Sequence, residues 1–119
     1  MKVKKHEYNS KKIAELISDS IIVNSTQDVL DLLGSLYYQH FDSVIIHEHN
    51  IRKDFFDLKT GIAGEMLQKF SNYRFRLAIV GDFSKYTGKS IRDFIYECNK
   101  NGHISFVESV PEALSKLSE

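Results

Sequence analysis

The chain has 119 residues, 42% hydrophobic and 27% charged, with Lys+Arg and Asp+Glu equal at 16 each. That describes one globular domain able to bury roughly two-thirds of the surface its unfolded chain exposes; the zero net charge argues against a nucleic-acid partner, which selects a basic excess, and leaves self-association open. No apolar run approaches the ~20 residues that cross a bilayer, MKVKKHEYN lacks the apolar core of a signal peptide, and the lone Cys98 excludes an intrachain disulfide and a thiolate zinc site within a monomer, so a cytoplasmic protein without a membrane partner is expected.

In chain order, Val3 to Tyr8 and Ile13 to Ile17 read as short strands, with Asn9-Ser10-Lys11 as the turn of a hairpin. IAELI could also be a helical turn, and Ile21-Ile22-Val23 could extend the second strand. Ser25-Thr26-Gln27-Asp28 is a capping box that starts a helix running to about Gln39, with Val29, Leu30, Leu33, Leu36 and Tyr37 as its apolar face. Val44-Ile45-Ile46 reads as a buried strand.

Phe55 to Phe83 is the stretch around which the chain is organised. It reads as one long helix, a short turn and the most apolar strand, Phe75 to Val80. Leu58, Ile62, Met66 and Phe70 recur every four residues, with Ala63 and Leu67 beside them. Asp54, Asp57 and Thr60 are alternative caps. Gly61 and Gly64 lie on this helix at about 1 kcal/mol each relative to alanine, which implies close packing on the sheet or a face between copies. Ser90-Ile91-Arg92-Asp93 reads as a second capping box, opening a helix with Ile91, Phe94, Ile95 and Cys98 inward. Ile104 to Val107 is a strand, and Ser109-Val110-Pro111-Glu112 caps a last helix that buries Val110, Ala113, Leu114 and Leu117. The order β-β-α-β-α-β-α-β-α predicts a single α/β domain with a mixed sheet of about five strands and four helices, its parallel strands joined by right-handed crossovers.

The runs FFDLKTGIAGEMLQKFSNYR, LAIVGDFSKY and KSIRDFIYECN, with QDVLDLL and FVESVPEAL at either side, resemble a bacterial domain-of-unknown-function family, number 4180, over nearly the whole chain. The resemblance implies a fold and names no activity. The element order is more distantly similar to the STAS domain of anti-anti-sigma factors and sulphate-transporter tails. Their second helix opens on an Asp-Ser-Ser-Gly type motif with a phosphorylated serine. FFDLKTG occupies that place here. Asp57 and Gly61 match, Thr60 is the nearest hydroxyl, and Leu58 and Lys59 break the pattern, which leaves a fold analogy.

Ligands of open α/β sheets bind beyond the carboxyl ends of the strands, here His47-Glu48, Gly81-Asp82 and Glu108-Ser109. With helix starts on the same edge favouring an anion, the candidate ligand residues are Asp57, Lys59, Thr60, Asp82 and Ser90, with Lys89 beside them. GDFSKYTGKS lies between strand and helix like a phosphate loop, but it encloses six residues where G-x-x-x-x-G-K-[ST] has four. His47 and His49 would share a strand face, where Asp54 or Asp57 could complete a metal site; as a solvated turn they hold none, which is the reading adopted. Asp57, Glu65, Asp82 and Asp93 are the carboxylates available for acid–base work. Cys98 reads as an inert core residue, and Tyr73, Tyr86 and Tyr96 as exposed aromatic contacts, Tyr73 alternatively sealing the core. The function expected is a small regulatory or binding module acting through a protein partner, a second copy or a small anion, without a cofactor. The alternative is a hydrolytic enzyme using the edge carboxylates.

Overall fold

The computed structural model describes residues 1–119. Five strands, β1 (Lys2–Tyr8), β2 (Lys11–Ile17), β3 (Ser43–His47), β4 (Arg76–Val80) and β5 (Ile104–Val107), and four helices, α1 (Thr26–Tyr38), α2 (Ile62–Asn72), α3 (Lys89–Asn101) and α4 (Val110–Leu117), form one α/β domain. The strands lie in sequence order, β1 antiparallel to β2 and the rest parallel. Asn9 and Ser10 both adopt positive φ (51° and 66°), so the hairpin turns through a two-residue loop whose twist suits the strands it joins.

Strand alternation divides the core in two. Ala14, Leu16, Val44, Ile46, Leu77, Ile79, Ile104 and Phe106 face α1, α2 and α3 and form the larger cluster with them. Ile13, Ile45, Ala78, Val80 and Val107 face the other way and are covered by α4 through Ala113 and Leu117. Capping explains where two of the helices start. Ser25 and Asp28 form the reciprocal box that opens α1, and Ser109 accepts the Glu112 N–H that opens α4.

Four expectations are corrected. Phe55 to Asn72 is not one helix: 3-10 turns at Lys53–Phe56 and Leu58–Thr60 come first, and α2 begins only after Gly61, whose φ of 75° breaks the spiral. Leu58 therefore precedes the helix its spacing suggested. Ser90 does not cap α3, because the extended Gly88 is the cap and Lys89 pairs with Asp93 along the first turn instead. Ile21-Ile22-Val23 does not prolong β2; it belongs to a strap between β2 and α1, whose single β-bridge is Val23–Ile51. On α1 the buried face is Val29, Leu32, Leu33 and Leu36, while Tyr37 is 67% exposed.

Neither Gly61 nor Gly64 has a close neighbour from the same chain. A methyl group built at either meets nothing within 4 Å. Gly64 is exposed in the helix and without positive φ. Gly64→Ala should therefore stabilise the fold by about 0.5–1 kcal/mol, read as a raised urea midpoint at constant slope. A lowered midpoint would show that the position is occupied by something outside the chain's own packing.

At the far edge of the sheet, Leu77 and Gly81 donate to the carbonyls of His103 and Val107. The backbone groups of Ile104 and Phe106 consequently face away from β4. Asn99 of α3 closes the second of these: its Oδ1 accepts from Phe106 N (2.7 Å) and its Nδ2 donates to Phe106 O (3.2 Å). One side-chain amide thus substitutes for a neighbouring strand at that residue.

Candidate functional site

Beyond the carboxyl ends of β3 and β4 lies a cleft of about 520 Å³, lined by the segments that follow these strands and by Ile21. Immediately after β3 the chain turns through Glu48–Asn50. The Glu48 side chain is only 14% exposed, and its Oε2 receives the Tyr86 hydroxyl at 2.6 Å and the Lys85 ammonium at 2.7 Å. Both partners come from the loop between β4 and α3, so one carboxylate joins two edge loops. Gly81 makes the arrangement fit: a methyl group there would lie 2.6 Å from Glu48 Oε1 and 2.7 Å from its Cβ. Burial, and then the hydrogen bond and charge of Glu48, push the Tyr86 phenol well above its ordinary pKa, so it serves as a fixed donor. Phe56 stacks on Tyr86 with centroids 4.9 Å apart.

The opposite wall is the strap. Asn50, fully buried, donates from Nδ2 to the carbonyls of Ser18 and Ser20, both at 2.8 Å. The backbone carbonyl of Asn50 accepts from Ile22 N and Val23 N. The Arg52 guanidinium, bound to Asp54, donates to Asn24 O at 3.0 Å. Ile21 is thereby held against the cleft while remaining 50% exposed. Lys53 and His49 complete the polar lining.

A second, shallower cleft of about 480 Å³ adjoins the first across Phe56. It brings together three of the residues singled out in the sequence, Asp57, Lys59 and Ser90. The Asp57 carboxylate accepts from Lys59 N in a turn of its own. Thr60 is exposed, and its hydroxyl donates to Asp57 O at 2.8 Å while accepting from Ile62 N. Asp82 lines neither cleft. It accepts from the hydroxyl and the N–H of Ser84, bonds that hold its carboxyl below the usual range.

His47 and His49 do share a side, with rings stacked at 5.6 Å. The carboxylate that meets His47 is neither Asp54 nor Asp57 but Glu15 of β2. Glu15 is 8% exposed and bridges two imidazoles, His6 Nε2 at 2.9 Å and His47 Nε2 at 3.3 Å. The network ties β1 to the strand that carries the cleft. Burial alone would raise the Glu15 carboxyl; the hydrogen bonds and charge of His6 and His47 outweigh it and hold the carboxyl below its usual range. A depressed folded-state pKa contributes stability above the unfolded carboxylate value and loses it as pH falls through the folded value. Unfolding free energy should therefore decline below the usual carboxylate range, and Glu15→Gln should flatten that acid limb in urea titrations across pH. An unchanged limb would remove Glu15 as its source.

Glu48, Lys85 and Tyr86 were not singled out together, because they are separated in sequence and meet only through the parallel β3–β4 pairing. The signal available was the pair of Gly81 and a tyrosine in a loop that fails as a phosphate loop. A glycine at a strand exit without positive φ marks the close approach of another group.

The family model described as "Domain of unknown function (DUF4180)" matches residues 8–117. The chain belongs to that family. No curated protein matches it. The DUF4180 match spans β2 to α4 and so takes in every residue of both clefts, while most of β1, including His6, precedes it.

Proposed function

We propose that the domain is a binding module that takes a small anionic ligand in the cleft beyond β3 and β4. The observation that carries this reading is the charge balance of that cleft: Glu48, largely covered, is already engaged by Lys85 and Tyr86, which leaves Lys53 outside every ion pair beside the apolar side chains of Ile21, Ile51 and Phe56. Pockets of this size and lining, with few convergent polar groups, are typical ligand sites, and this one lies at the edge where open α/β sheets bind. The STAS-like element order is compatible with such a module and adds only analogy.

The hydrolytic alternative needs two carboxylates converging on one substrate. Asp57 is engaged with Lys59 N and Asp82 with Ser84, in separate turns. Glu48 is neutralised by Lys85, and its neighbour Tyr86 keeps its proton, so neither is free to act as a base. These engagements favour binding over acid–base chemistry.

Thermal unfolding with a panel of small carboxylates and phosphates tests the reading. A ligand at 100 times its dissociation constant stabilises by about 2.7 kcal/mol. Panel members should raise the wild-type midpoint by several degrees and leave Lys53→Gln and Ile21→Asp, both at solvent-facing positions, nearly unmoved. Equal shifts in all three proteins would place binding elsewhere.

A further inference from the structure

We infer that the ligand of the Glu48 cleft is an amphipathic monoanion, an apolar body ending in a single carboxylate; this rests on the binding reading above. The charges around the cleft differ in how far they are already engaged. Glu48 and Lys85 neutralise one another across 2.7 Å, with Tyr86 donating to the same oxygen. His49 sets Nε2 against Ser18 O at 3.1 Å. Lys53 is the lining cation that enters no ion pair. The lining thus presents one uncompensated positive charge, which one negative charge on a ligand matches and two would exceed.

The walls define the rest of the molecule. Ile21 and Ile51 form one side, and Ile21 still exposes half its surface. Covering it removes apolar area from water, a gain open only to a ligand with an apolar body. Phe56 and Tyr86 stack on each other with planes 18° apart, so no slot is left between them to clasp a planar base. An aliphatic or small aromatic body fits this wall, with its carboxylate directed at Lys53.

Three probes of one chain length separate the contributions: octanoate, octanol and octylammonium, each titrated into isotope-labelled protein and followed by backbone amide shifts. Octanoate should shift Ile21, Glu48, His49, Ile51 and Lys53, and bind about fivefold tighter than octanol, the order expected of one part-exposed charge contact. Octylammonium should bind weakest. Lys53→Gln should lower octanoate to the level of octanol while leaving octanol unchanged, and Ile21→Asp should weaken both. Octanol or octylammonium binding as tightly as octanoate would overturn the monoanion assignment and leave the cleft a binding site. No shift at these residues with any of the three would overturn the cleft reading as well.

Discussion

Gly81→Ala should lower the unfolding free energy by about 2–3 kcal/mol, at the upper end of what one added methyl group costs in a packed site. The new carbon would fall 2.6 Å from Glu48 Oε1 and 2.7 Å from Glu48 Cβ. The carboxylate tip can rotate away, but Cβ is fixed by the backbone at the end of β3, so the two strand exits must part. Tyr86 and Lys85 would then lose their shared acceptor, and the phenol would titrate nearer its ordinary pKa. Urea unfolding measures the first effect, and ultraviolet titration of tyrosine the second. A stable Gly81→Ala protein with an unchanged phenol titration would refute the account of the hub. Glu48→Gln supplies a variant without the steric clash. It should keep the fold and shift the phenol in the same direction, which separates loss of the charge from distortion of the edge.

Leu117→Ala should cost about 3 kcal/mol, within the range for truncating a fully buried leucine. Leu117 and Ala113 are the only fully covered side chains of α4, and this helix alone shields the face formed by Ile13, Ile45, Ala78 and Val107. Its end is also held by the Arg76 guanidinium, which donates to the carbonyls of Lys116 (3.0 Å) and Gly102 (2.9 Å). The loss should therefore appear as a lower urea midpoint, with faster amide exchange in α4 and little change in α1 or α2, which pack on the other side. A cost under 1 kcal/mol would mean that the face is covered by something other than this helix.

The layered α/β order was legible because the buried strands are short apolar runs and each helix carries a stripe at its own period. The hairpin was legible from its turn residues. What misled was the reach of periodicity. Leu58, Ile62, Met66 and Phe70 keep a spacing of four, yet Leu58 reaches the core from a 3-10 turn, because Gly61 takes a left-handed conformation and restarts the chain direction. Ser90 and Asp93 match a capping pattern, but the extended residue that ends the loop is Gly88, and a cap is defined by backbone conformation. At the edge, Asp57, Lys59 and Ser90 do meet, since they flank helix starts that the fold places side by side. The Glu48 hub depends on strand register, which leaves no local pattern, so that Gly81 at the exit of β4, with Tyr86 in the loop after it, was its one sequence signal.

Asn99 has a consequence for how many copies of this chain could ever join sheet to sheet. By closing Phe106 it leaves β5 a single outward-facing residue, Ile104, which is too little for a ladder. The other margin, β1, keeps its outer backbone groups along seven residues and carries Lys2, Lys4 and Lys5. Sheet-to-sheet joining, if copies met, would be one-ended. Strand addition through identical β1 margins places the two copies about a twofold axis and uses up the open margin of both. Such an assembly terminates at a pair, and a runaway fibre would first require α3 to let go of the sheet.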